Sequence, residues 1–185
     1  MGRGDPLVKA VVAALAAGPM IGIGPRAWSE PTSLAAEVKA AYLDKFGDFV
    51  EWPQSAFTNP SDPFRICVAG ADSIGPLLDQ ATHAQRIGSH PIVLVHLDTV
   101  EHGSTCHILF AASSSKQSVA EDLAKVRGDP VLTVTDAAPD PTTRGIINFI
   151  VLSNRVRFEI DEAAAMQSGL AISSKLLSLA VKQAG

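Results

Sequence analysis

Apolar side chains at Leu34, Val38, Tyr42 and Phe46 recur every fourth residue, the repeat that lines one side of an α-helix. Thr32 and Ser33 are suited to cap its start; the pattern runs on through Phe49-Val50-Glu51-Trp52, and Pro53 stops it. After the loop Asn59-Pro60-Ser61-Asp62-Pro63 the pattern changes to short apolar runs. Phe64 to Ala69, Pro91 to Leu97, Cys106 to Ala112 and Pro130 to Thr135 each read as a buried strand. Two helical patterns lie between them. One is capped by Asp72 or Ser73 and runs to about residue 85; the other follows Ser113 to Ser115, turns Val119, Leu123 and Val126 inward, and ends at Gly128. Ile146 to Leu152 and Val156 to Ile160, joined at Ser153-Asn154-Arg155, carry a hairpin signal, and two short helices separated near Gly169 close the chain. Strands alternating with helices, then a hairpin, predict an α/β fold: a single layered domain over residues 30–185 with a mixed β-sheet flanked by helices.

The start of the chain changes the picture by setting a compartment. Arg3 and Lys9 precede the apolar run Ala10 to Gly24, and Ala27-Trp28-Ser29 follows. A basic start, an apolar stretch and a small-residue exit are the parts of a secretory signal peptide, so residues 1–29 are expected to be removed and the rest exported to the periplasm. The glycines at Gly22 and Gly24 fall inside this leader, with no βαβ unit around them, and do not mark a dinucleotide site.

Charge narrows the partners. The chain carries 15 Lys+Arg against 19 Asp+Glu; without Arg3, Lys9, Arg26 and Asp5 the balance becomes 12 against 18, or −6. No basic block remains, so a nucleic acid is not an expected partner.

Candidate chemistry centres on Cys67 and Cys106, the only two cysteines. An even count in an exported chain makes a disulfide between them the leading expectation. Cys106 and His107 are adjacent, so in a strand they point to opposite faces and cannot act as a nucleophile and its base. A metal site from His96, His102, Cys106 and His107 stays open, although its spacing matches no standard zinc pattern. Gly70-Ala-Asp-Ser-Ile-Gly75 joins a strand to a helix. Its backbone N–H groups near Gly70, Asp72 and Ser73, with Lys175, are the candidate contacts for a small ligand. Asp136 and Asp140 read as turn residues, and Glu159 and Asp161 as ion-pair partners of Arg155 and Arg157. No serine–histidine–acid arrangement has supporting context, so neither catalysis nor a cofactor is indicated.

Seven blocks then stand in a telling order: Phe49-Val50-Glu51-Trp52-Pro53, Ile66-Cys67-Val68, Cys106-His107-Ile108-Leu109-Phe110, Val131-Leu132-Thr133-Val134, Gly145-Ile146-Ile147-Asn148-Phe149, Val156-Arg157-Phe158-Glu159-Ile160 and Gly169 to Leu177. Together they resemble the YfiR family of periplasmic proteins, from about Ala40 to Leu179. The resemblance implies a small α/β domain that dimerises and represses an inner-membrane diguanylate cyclase by binding its periplasmic sensor domain. It also implies an OmpA-like outer-membrane lipoprotein that sequesters the repressor, and a structural disulfide at Cys67 and Cys106. In one respect the chain departs from the pattern. Redox-responsive relatives can carry a second cysteine pair around residues 136 to 150, and here that stretch has none.

Overall fold

The computed structural model describes residues 34–70 and 74–182. The expected leader, the expected helix caps Thr32 and Ser33, and the residues Asp72 and Ser73 lie outside them. Five helices and nine strands are present among the described residues: α1 (Leu34–Phe46), β1 (Val50–Glu51), β2 (Phe64–Ala69), α2 (Gly75–Thr82), β3 (Arg86–Ile87), β4 (His90–Leu97), β5 (Ile108–Ala111), α3 (Val119–Lys125), β6 (Leu132–Asp136), β7 (Ile147–Leu152), β8 (Arg155–Ile160), α4 (Glu162–Gln167), β9 (Ala171–Ile172) and α5 (Ser174–Leu179).

Seven strands form one mixed sheet in the order β3-β4-β2-β5-β6-β7-β8. The five central strands are parallel, and the outer pairs β3–β4 and β7–β8 are antiparallel. Numbered by appearance, the parallel strands stand 2-1-3-4-5, a doubly wound order that reverses direction between β2 and β5. The expected mixed α/β sheet and closing hairpin are therefore what the chain forms.

Period-two alternation sends β2 and β5 side chains to two cores. Phe64, Ile66, Val68, Ile108 and Phe110 join residues of α1 and α2 on one face. Cys67, Ala69 and Leu109 join Val100, Val126 and Val131 on the other. The sheet is thus buried on both sides, which is why β2 and β5 read as continuous apolar runs.

Several boundaries differ from the sequence reading. The first helix stops at Phe46: residues 47–49 tighten into a 3₁₀ turn and Val50–Glu51 becomes a strand paired with β9. Gly47 permits this, since a Cβ there would overlap Ile87. Helix α2 ends at Thr82, with Ile74 in the cap position and Pro76 in its first turn. Helix α3 starts later than expected, at a capping box in which Ser118 and Glu121 bond each other's backbone N–H. The hairpin turn places Ser153 at φ 48° and Asn154 at φ 60°, the two left-handed residues of a type I′ turn. No helix among the described residues is long and apolar enough to cross a membrane.

Candidate functional site

Cys67 and Cys106 are joined by a disulfide with Cα atoms 5.8 Å apart. The bridge ties the middle of β2 to the segment entering β5 and is buried among Val100, Val126 and Val131. His107, next in the chain, faces the other way. Its Nδ1 accepts the Arg65 backbone N–H at 3.0 Å and its Nε2 lies 3.1 Å from the Ala56 carbonyl, an arrangement that assigns the Nε2–H tautomer. The ring stacks on Phe57 and Phe64 at 4.4 and 4.8 Å. Burial, before any other influence, holds its pKa below the ordinary histidine value, so this side chain is a neutral packing element. His90 also stacks on Phe57, at 4.1 Å. His96 instead approaches Asp79 at 3.4 Å. The alternative metal set is not gathered: among the described residues no three such side chains converge.

The carboxyl ends of β5 and β6 open into a cleft of ≈570 Å³. Ile74, Ser113, Ser118, Thr135, Asp136 and Thr143 are on its walls. Its position beside the reversal of strand order is where open α/β sheets place ligands. Gly70 stands at the end of β2 with φ 87°, and a Cβ there would overlap the Ala112 carbonyl. Close approach to the next strand therefore accounts for this glycine. Gly70 lines a second hollow with Asp98 and Lys116, which form an exposed ion pair at 2.6 Å. Lys175 is exposed on α5 and lines neither hollow.

Sequence reasoning missed the polar staple beneath this cleft. Asn148 on β7 accepts from the Thr135 hydroxyl at 3.0 Å and from the Ala138 N–H at 3.2 Å. Thr135 in turn accepts from the Gly145 N–H, and Thr133 from the Ile146 N–H. Arg144 donates to the Ala138 carbonyl at 3.0 Å, and Asp140 caps the single turn 141–143. The signal was present as polar residues in otherwise apolar strands, since a buried Thr or Asn must find partners. Asp122 on α3 was missed as well. It is 1% exposed, one carboxylate oxygen has no partner, and burial followed by the Glu121 charge pushes its pKa up to about 6.

A third feature is apolar and open to solvent. Leu34, Val38 and Tyr42, three of the four residues whose repeat announced α1, do not head its buried face; Ala36, Ala40, Leu43 and the fourth, Phe46, do. Val38 and Tyr42 instead line two adjoining grooves. One, ≈300 Å³, runs to Phe49, Leu176 and Leu179. The other, ≈470 Å³, lies between α1 and the hairpin residues Val151 and Val156. Leu34 is 74% exposed and Val151 56%, so these grooves are flanked by uncovered hydrocarbon.

Comparison with known proteins fits this architecture into a lineage. A search of curated proteins returned no match to the chain. A family model described as YfiR/HmsC-like matches residues 36–181, from the first turn of α1 to the residue that bridges to β8. The matched stretch takes in every strand of the sheet and both cysteines of the disulfide, and the chain belongs to the YfiR/HmsC-like family.

Proposed function

We propose that the protein is a non-enzymatic periplasmic regulator that binds the periplasmic sensor region of an inner-membrane diguanylate cyclase. Binding holds cyclic di-GMP synthesis, and with it biofilm formation, low. An OmpA-like outer-membrane lipoprotein competes for the regulator, which forms a homodimer. The observation that carries this reading is the family match across residues 36–181. The open apolar grooves along α1 support it, because a protein that acts by contact needs an uncovered face. Regulation follows from preferring one receptor conformation over another. Reversing a 99:1 equilibrium requires about 5.5 kcal/mol of differential binding.

Cellular cyclic di-GMP, measured in the host with the gene deleted and then restored, tests the reading. A rise on deletion that is reversed by the intact gene, and not by a leaderless version, is expected. An unchanged level would overturn it. The cleft at the carboxyl ends of β5 and β6 favours a second reading, a periplasmic small-molecule sensor serving a kinase or a TonB-type transport system. A reproducible rise in Tm with one member of a metabolite panel is its signature.

A further inference from the structure

The sheet ends at β8, and the edge of β8 is only partly covered. The two-residue turn makes Leu152 and Arg155 the closing hydrogen-bonded pair of the hairpin. Alternation then points the N–H and C=O groups of Arg155, Arg157 and Glu159 toward β7, and those of Val156, Phe158 and Ile160 outward. The chain's own C-terminal segment takes part of this edge: the Val181 N–H donates to the Phe158 carbonyl at 2.9 Å, and Val181 bridges Glu159 in parallel. The Val156 N–H, the Val156 C=O and the Phe158 N–H have no backbone partner among the described residues.

Beside this open stretch lies the ≈470 Å³ groove between β8 and α1. A helix set alongside a free strand edge is the frame in which extended peptides add to a sheet. Alternate side chains of such a peptide would enter the groove against Val38, Tyr42 and Val156. The others would point to the other face of the sheet, to which alternation assigns Arg155 and Arg157, two residues that also border the groove at the strand edge. Both arginines are exposed, and neither has an acidic partner within 4.0 Å among the described residues. They form a local positive pair on a chain of net charge −4.

The same arginines argue against a second copy at this edge. Around a two-fold axis, every antiparallel register centred between Arg155 and Arg157 sets an arginine opposite an arginine: Arg155 on itself, Arg155 on Arg157, or Arg157 on itself. Like charges directly opposite are destabilising, and basic residues on an edge are a known guard against self-pairing.

We infer that the open edge of β8, together with the α1 groove, docks an extended segment of a partner protein that alternates apolar and acidic residues and adds to the sheet as an eighth strand. The inference rests on the reading that the protein works by protein contact, and it supplies the surface for that contact.

Two variants test it. In Val156→Pro the missing N–H is one that points outward, so no β7 bond is lost, and proline is tolerated on such an edge. Arg155→Glu/Arg157→Glu reverses the charge and leaves the backbone alone. The purified protein is titrated with a fluorescent peptide of alternating Val and Glu, and with its Val-Lys counterpart, by anisotropy. Expected are saturable binding of the acidic peptide at least tenfold tighter than the basic one, and a loss of at least tenfold in both variants at unchanged Tm. Equal binding of the two peptides, binding of neither, or variants that bind like the natural protein would overturn the inference. So would sedimentation showing that Val156→Pro splits a dimer, because the edge would then belong to a second copy. If Val156→Pro lowers Tm, the charge-reversed variant decides alone. Restoring a deletion strain with each variant separates the two claims. Full repression by both variants removes the docking edge and keeps the regulator; peptide binding without any effect of deletion on cyclic di-GMP does the reverse.

Discussion

Two connections between parallel strands, residues 98–107 before β5 and residues 137–146 before β7, are each ten residues long, and neither contains an α-helix. Parallel crossovers usually run through a helix that packs on the sheet. Each of these is fixed to the sheet by a cross-link instead, and the two cross-links differ in kind. The first is covalent: Cys106 is bonded to Cys67 of β2, and Gln117 bonds both the N–H and the C=O of Val100. The second is polar: Thr133, Thr135 and Asn148 hold Gly145, Ile146 and Ala138 from the strands beneath. A disulfide acts mainly by restricting the unfolded chain, whereas a hydrogen-bond staple acts by satisfying buried groups in the folded one. Redox conditions should therefore reach the first connection and leave the second untouched.

Removing the disulfide is the largest break in this comparison. It closes a loop spanning a sequence separation of 39, worth about 4 kcal/mol in the chain-entropy model. Cys67→Ala/Cys106→Ala, or dithiothreitol on the natural protein, is expected to lower Tm by about 8–16 °C. Amides of residues 137–146 should exchange with solvent no faster than the rest of the sheet after reduction. Selective opening of that loop by reductant would show that the two connections are not independent.

Asn148→Ala attacks the other staple. It leaves the Thr135 hydroxyl, in a residue 1% exposed, and the Ala138 N–H without their acceptor. Orphaned buried donors cost about 1–3 kcal/mol each, and the asparagine's own Nδ2 is already unpartnered, so a net loss of about 3 kcal/mol is expected. Urea unfolding gives the magnitude, and hydrogen exchange should show the loss concentrated in residues 137–146. An evenly spread loss would mean that Asn148 supports the whole sheet rather than this loop.

The contrast also explains what could be read from the sequence. The covalent staple was legible because cysteine is rare in this sequence and has few uses in a chain expected to be exported; two residues announced it. The central strands were legible as unbroken apolar runs, and α1 from four apolar residues at a helical repeat. Strands β1, β3 and β9 have two residues each, too few to show a period, and they exist because tertiary contacts pair them. The partners of the polar staple were invisible for a related reason. Thr133, Thr135 and Asn148 are ordinary residues in ordinary strand positions until β6 and β7 are known to be neighbours. The groove beside β8 was hidden by the opposite error: Leu34, Val38 and Tyr42 carry a clear helical repeat, but Ala36, Ala40, Leu43 and Phe46 take the core side, leaving Leu34 exposed and Val38 and Tyr42 half-buried along the groove.

The two regions also carry opposite responses to pH. His107, the last residue of the disulfide-tied connection, faces away from the bridge and has a depressed pKa, because burial disfavours its charged form. The unfolded chain then binds a proton first, so stability is present above the ordinary value of 6.5 and is lost as pH falls below it. Asp122 sits on α3, which packs against the 141–143 turn of the polar connection, and its pKa is raised. Here the folded protein holds the proton longer. The contribution is full below the ordinary value of 3.8 and is lost as pH rises through about 6. Asp122→Asn is expected to raise stability by about 2 kcal/mol at pH 8, with no gain below pH 4 where the natural carboxyl is already neutral. Melting curves from pH 4 to 8 check both the size and the window. A constant gain at all pH values would assign the effect to packing instead of titration.

The smallest expected effect concerns the tie between the polar connection and α1. Lys39 reaches Asp136, the last residue of β6, at 2.6 Å, with its side chain 12% exposed against 36% for the carboxylate. One partner remains in water, so the pair falls near the range of surface ion pairs, about 0.5–1 kcal/mol. Lys39→Ala should lower Tm by only about 1–4 °C, and 0.5 M salt should shrink the difference, since screening weakens exposed charge pairs. Lys39→Met separates the charge from the buried stem, because it keeps most of the hydrocarbon that lies along the helix. If Lys39→Met is as stable as the natural protein while Lys39→Ala is not, packing by the stem ties α1 to the loop and the ion pair contributes nothing measurable. If both lose the same amount, and salt removes the loss, the charge is what joins the helix to the connection that Asn148 holds from below.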